Sequence, residues 1–163
     1  VRRLIEEARA EGLKVGVVST TATRNATGLL SAHLRPMGRA VITAIVSADD
    51  VARRKPAPDI YEKMLAVLRV PAEACVAFED SANGLRAARA AGLMTIVTPT
   101  RWTMAQDFTG ADLLLRGLGD PGAPMHEGDE QAVGAEQVGI AQLRKLHEAV
   151  LRRRGPAHSG GCT

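Results

Sequence analysis

Three short polar clusters in this 163-residue sequence carry side chains capable of chemistry: Ser19-Thr20-Thr21, Lys55, and Glu79-Asp80-Ser81. Each follows an apolar run of buried-strand type, Lys14 to Ser19, Val41 to Val46 and Val76 to Phe78. In open parallel α/β sheets, ligands bind at the carboxyl ends of the strands. Hydroxyls, an ammonium and two carboxylates can therefore meet around one ligand. A phosphate with a magnesium ion suits that set. Hydroxyls and the N–H groups of a helix start hold phosphate oxygens, and Lys55 offsets phosphate and carboxylate charge alike. Adjacent carboxylates suit Mg²⁺, a hard cation that takes oxygen ligands and keeps several waters. Each cluster also has a purely structural reading. Ser19 to Thr23 can cap the next helix, Lys55 can be a solvated loop lysine, and Asp80 or Ser81 can be an N-cap. Their joint placement after three strands favours one site over three coincidences.

The elements that must position these groups can be followed along the chain. Val1 opens directly into a helical pattern from Arg2, with Leu4, Ile5 and Ala8 on one side and no cap in front, so the chain reads as beginning mid-domain. Gly12 stops that helix, and the strand ending at Ser19 follows. A helix is expected from Thr23 to Leu34, a turn from Pro36 to Arg39, and then the strand from Val41. Residues 47 to 59 form a polar, proline-punctuated loop. Pro58 suits a helix start and Asp59 puts a negative charge in its first turn. Ile60, Met64 and Leu68, joined by Tyr61 and Leu65, mark the apolar stripe of this helix, which ends near Val70-Pro71.

After the strand at Val76, Ala82 to Ala91 is rich in strong helix formers, and Gly92 is placed for a left-handed helix stop. Leu93 to Thr98 is the next strand, Pro99 to Gly110 a loop in which Trp102 packs over the sheet or lines a cleft, packing being preferred, and Ala111 to Leu115 a short strand. Glycine, proline and acids dominate residues 117 to 134, and a flexible connector is expected over 119–135. A C-terminal helix over 136–154, with Ile140, Leu143, Leu146 and Val150 inward, precedes a tail over 155–163. Helix and strand alternate with crossovers long enough for parallel pairing. The fold class is α/β, a doubly wound parallel sheet.

Composition narrows the functional classes. Aromatic residues make up only 2% of the chain, so the core must be aliphatic. Net charge is +3, and the densest cationic cluster, Arg152-Arg153-Arg154, reads as a solvated helix end, not a nucleic-acid surface. No apolar run approaches the roughly 20 residues that cross a bilayer, so no membrane partner is expected. Cys75 and Cys162 cannot form a metal quartet, and a reducing cytoplasmic setting is the default. His33, His126, His147 and His158 lack the spacing of a zinc site. There is neither a glycine-rich dinucleotide fingerprint nor a P-loop.

Lys55-Pro-Ala-Pro-Asp59-Ile-Tyr, the stretch from Glu79-Asp80-Ser81-Ala-Asn-Gly84 to Gly92, and the strand ending in Ser19 resemble three motifs of the haloacid dehalogenase-like hydrolases. The likeness is greatest to the CbbY-like phosphosugar phosphatases, relatives of the phosphoglycolate phosphatases and β-phosphoglucomutases. It covers about residues 1–120, of which 1–118 form the C-terminal part of such a core, and the later helix also resembles the C-terminal end of that subgroup. The resemblance implies that Ser19 and Thr20 bind phosphate. Lys55 stabilises the transferring phosphoryl group, Glu79 and Asp80 hold Mg²⁺ directly or through water, and Asp59 and Ser81 support the loops. It implies hydrolysis of a small phosphorylated sugar or organic phosphate through an aspartyl-phosphate. One motif is missing. The D-x-D-G-T/V strand that supplies the nucleophile occurs nowhere in the sequence, nor does the helical cap. The resemblance thus implies an N-terminally truncated member, inactive alone, whose sheet has a gap or unpaired edges. A phosphomutase fragment and a non-catalytic phosphate- or partner-binding module remain the alternatives. Oligomeric state is not legible.

Overall fold

The computed structural model describes residues 1–34, 41–120 and 122–155. The expected turn at 36–39 and all but the first residue of the tail lie outside them. In chain order the elements are α1 (Arg2–Ala10), β1 (Gly16–Ser19), α2 (Thr23–His33), β2 (Ala44–Ser47), α3 (Asp59–Leu68) and β3 (Val76–Glu79). There follow α4 (Ala82–Ala90), β4 (Met94–Val97), β5 (Leu113–Leu114), α5 (Glu127–Val133) and α6 (Ile140–Arg154). Among the described residues the named strands pair in parallel throughout. Helices lie on both faces, as the alternating pattern predicts.

Each face has its own core. On one side Leu4 and Ala8 of α1 and Ile140, Leu143 and Val150 of α6 pack on Met94 and Ile96 of β4. On the other, Ile60, Tyr61, Met64 and Leu68 of α3 and Ala87 and Ala88 of α4 pack on Val46 of β2 and Ala77 of β3. Removing these aliphatic surfaces from water, at about 25 cal/mol per Å², is the main drive that holds the layers together. β4 is buried along its whole length, as a strand sandwiched between helices must be.

The sheet is in two pieces. β1 pairs with β2 from Gly16↔Ala44 to Ser19↔Ser47, while β3, β4 and β5 form a separate ladder in that order. No ladder joins β1 to β3 among the described residues, so the expected unpaired edges are present. What spans the two pieces is the α3–α4 layer, whose core reaches both Val46 and Ala77.

Three local expectations change. Lys14 stands outside β1 and donates from Nζ to the Leu68 carbonyl at 2.7 Å. The stretch read as a connector contains α5. Asp129 of that helix, only 7% exposed, accepts a hydrogen bond from the Arg116 backbone N–H at 2.7 Å. Trp102 does not pack over the sheet: it is 78% exposed, with the Arg101 guanidinium 4.4 Å from its ring centre. The loop is held instead by Gln106, whose side-chain oxygen accepts from the Ala82 N–H at 2.8 Å. That anchor leaves the indole outside. Among the described residues no helix is long and apolar enough to cross a membrane.

Candidate active site

The loop from β2 to α3 begins with a strongly capped turn. The buried Ser47 hydroxyl accepts from the Asp49 N–H, while Asp50 accepts from the Ser47 N–H at 2.7 Å and from its hydroxyl at 3.0 Å. This reciprocal box fixes the first residues of the loop. The Ser47 N–H holds the Asp50 carboxyl below the usual range. Thr23, at the start of α2, shares a 2.7 Å hydroxyl contact with Ser47, and its N–H donates to Asp49 at 3.3 Å. The turns after β1 and β2 are therefore tied to each other.

At the far end of the loop, Asp59 opens α3 and is gripped by Arg53, at 2.8 Å and 3.1 Å to its two oxygens. The Arg53 hydrogen bond pulls the Asp59 carboxyl down. Asp59 thus ties the start of α3 back to the loop through Arg53. Between these anchors lies Lys55, followed by a cis bond to Pro56.

Lys55 is not a solvated lysine. Its side chain is 8% exposed, and its ammonium donates to Oε1 of Glu79, whose side chain is 6% exposed. The same oxygen accepts a hydrogen bond from the Tyr61 hydroxyl. Lys55 also stands 5.1 Å from the centre of the Tyr61 ring, within cation–π range. Burial first, and the Glu79 charge second, push the Tyr61 phenol far above its ordinary value, so the hydroxyl is a proton donor. On the other side, the Glu79 carboxylate lies against the first turn of α4 at Gly84. A Cβ there would fall 1.7 Å from Oε2. Only glycine leaves room for the carboxylate.

Asp80, the next residue, is exposed. Ser81 is the N-cap of α4, its hydroxyl accepting from the Gly84 N–H at 3.2 Å. Ser19 ends β1 level with Ser47, and its hydroxyl shares a 2.9 Å contact with Thr21 and accepts from the Thr21 N–H at 3.2 Å. Thr20 is exposed beside it. The fold therefore brings Lys55 directly to Glu79 with Asp80 alongside. Ser19 ends a strand of the neighbouring piece of sheet and Thr20 follows it, and neither makes a described hydrogen bond to that pair.

The sequence reading missed Tyr61 as a polar partner, because it had been absorbed into the apolar stripe of α3. Its place in the first turn of α3, six residues after Lys55, was the available signal. Gln106 and the Ser47–Asp50 box were missed as well.

The donor set can be tested for Mg²⁺. Among the described residues no group of three or more His, Cys, Asp or Glu side chains gathers as a ready metal cage. Mg²⁺ does not ask for one, since it is commonly held by one or two carboxylates together with waters and phosphate oxygens. Exposed Asp80 fits as a direct ligand. Glu79, with Oε1 taken by two donors and Oε2 packed against Gly84, fits only as a ligand through water.

Residues 1–92 match the haloacid dehalogenase-like hydrolases. The chain is 44% identical over 153 residues to the plasmid Protein CbbY of Cupriavidus necator, covering 93% of this chain and 59% of that protein. The crystal structure of CbbY from Rhodobacter sphaeroides in complex with phosphate is similar with a TM-score of 0.71 and 39% identity, covering 86% of this chain and 56% of that one. A mutant of that protein in complex with xylulose-(1,5)bisphosphate gives a TM-score of 0.67 and 45% identity, over 70% of this chain and 51% of that one. The chain spans about half the length of the curated relatives it matches.

Proposed function

This chain belongs to the haloacid dehalogenase-like hydrolases, and from that premise we propose that it forms the C-terminal core of a Mg²⁺-dependent phosphatase acting on a small phosphosugar. The observation that carries the proposal is the buried Lys55–Glu79 pair with Asp80 exposed beside it at the end of β3. Lys55, Glu79 and Asp80 bring one positive and two negative charges to this edge. A phosphate dianion would be repelled by the net negative charge. A divalent cation on Asp80 reverses the sign, which is why a metal and a phosphate belong to this site together.

When bound, Mg²⁺ supplies positive charge to the phosphoryl oxygens. The chain's own residues do the positioning. Lys55 places a fixed ammonium beside the phosphoryl group, and Glu79 holds that ammonium in place. Ser19 and Thr20 offer hydroxyls and N–H groups from the end of β1. Such pre-set charge is the main source of catalysis in phosphoryl transfer. The nucleophilic aspartate of such chemistry would come from a D-x-D-G-T/V strand, a motif this sequence does not contain, and the free edges of β1 and β3 leave room for one.

The substrate class follows from the relatives: the Rhodobacter sphaeroides structures hold phosphate and xylulose-(1,5)bisphosphate, so a phosphorylated ketose is the first compound to try. The test joins this chain to an N-terminal segment bearing the D-x-D-G-T strand and cap, and measures phosphate release with Mg²⁺. The folded chimera is expected to release phosphate, to stop with a chelator, and to lose activity on Lys55→Ala, while the 163-residue chain alone releases none. A chimera that is folded by circular dichroism yet inert toward phosphosugars overturns the proposal.

A further inference from the structure

We propose that Tyr61 is a positioning residue of this site, its hydroxyl fixing the Glu79 carboxylate and through it the Lys55 ammonium. The inference deepens the phosphatase reading and rests on it for the purpose that the positioning serves. Tyr61 is the single tyrosine of the chain and is 5% exposed. Its neighbours on the buried face of α3, Ile60, Met64 and Leu68, bring no polar atom that seeks a charged partner. A phenylalanine would fill the same space. The hydroxyl is what distinguishes the residue, and burying a hydroxyl is unfavourable unless it is hydrogen-bonded. Here it is bonded to the very oxygen that receives Lys55.

The geometry gives one side chain a contact with each member of the pair. The hydroxyl reaches Glu79 Oε1, and the ring lies 5.1 Å from Lys55 Nζ. With Gly84 closing the opposite side, the carboxylate is held by an ammonium, a phenol and a helix backbone. Without the phenol its one remaining hydrogen-bond donor among the described contacts is the ammonium, with Gly84 only packed against the carboxylate. It can then turn about its terminal torsion, which is intrinsically soft, and Lys55 loses a fixed partner. A phosphoryl group would then meet an ammonium on a swinging carboxylate. Pre-organisation is lost although no charge has been removed.

Tyr61→Phe isolates the hydroxyl, because the ring and its cation–π contact remain. In the 163-residue chain, heteronuclear NMR of the lysine ammonium groups, with Lys55→Met to assign the signal, reads how firmly Lys55 is held. The expected result is a protected Lys55 ammonium whose hydrogen exchange becomes at least about tenfold faster in Tyr61→Phe, in keeping with a lost hydrogen bond to a charged group. In the chimera the same substitution should lower kcat about tenfold with KM unchanged. Unchanged Lys55 exchange in a folded Tyr61→Phe chain overturns the proposal and makes Tyr61 a core filler. Should that variant fail to fold, the wild-type hydroxyl decides. As the only tyrosine it gives one phenolic proton, and exchange as fast as in a free phenol overturns the assignment. A protected Lys55 signal beside an inert chimera counts against the phosphatase reading, not against the contact.

Discussion

Gly84→Ala asks whether the Glu79 carboxylate is pinned or merely resting. Replacing a helical glycine by alanine ordinarily stabilises a helix by about 1 kcal/mol. In α4 the added Cβ would lie 1.7 Å from Oε2, 2.1 Å from Cδ and 2.6 Å from Oε1 of Glu79, so the carboxylate must leave. A free side-chain end would do so at little expense. This one is buried and holds both Lys55 and Tyr61, and separating a buried ion pair costs about 3–5 kcal/mol. Setting the helix gain against that loss leaves a net destabilisation of about 2–4 kcal/mol. For a chain of this size the melting midpoint should fall by about 5–15 °C. Gly28 in α2 is the control. A Cβ there meets nothing within 4 Å, so Gly28→Ala should raise stability by up to about 1 kcal/mol. The same substitution in two helices should therefore shift thermal or urea unfolding, followed by far-ultraviolet circular dichroism, in opposite directions. A Gly84→Ala chain that unfolds at or above the wild-type midpoint would refute the claim that Glu79 is held in place.

Other predictions use the same contacts. The folded protein keeps the Tyr61 proton where an unfolded tyrosine, with its ordinary value of 10.0, loses it. Stability from this group is therefore whole below that pH and drains away above it. Phenolate absorbance should rise only together with loss of circular dichroism, and phenolate formed near pH 10 in a still-folded chain would contradict the burial. Ser81→Ala removes the N-cap of α4 and should lower stability by about 1 kcal/mol in urea unfolding, whereas Ser81→Asp should restore most of it. Asp129→Ala strips the Arg116 N–H of its acceptor and should cost about 1–3 kcal/mol, with faster amide exchange at Arg116 as the local readout.

Much of the fold was legible because the main strands are β-branched or aliphatic runs closed by polar junctions, and the crossover helices α3 and α4 begin at recognisable starts, Pro58 and Ser81. The elements that escaped depend on distant partners. α5 offers only Ala132 and Val133 as apolar residues over its seven positions, too few for a helical stripe. It exists because Asp129 finds the Arg116 backbone and because Met125 and Val138 on either side are buried. Trp102 misled in the opposite sense. Size and hydrophobicity argue for burial, but Gln106 had already fixed the loop to the start of α4 in a course that leaves the ring outside.

At the site itself, the residue types were legible and their division of labour was not. Glu79 and Asp80 look equivalent as adjacent acids, yet a strand sends successive side chains to opposite faces. Ala77 and Glu79 point into the α3–α4 layer and are buried, while Phe78 is partly and Asp80 largely exposed. That alternation hands Glu79 to Lys55 and Tyr61 and leaves Asp80 to the solvent edge. A buried carboxylate needs donors, and the two it finds come from a loop and a helix that follow a different strand. The period of β3 could have separated the two acids in advance. Which cation and which hydroxyl would meet the inner one depended on the packing of α3 against both pieces of the sheet, a long-range outcome written in no local pattern.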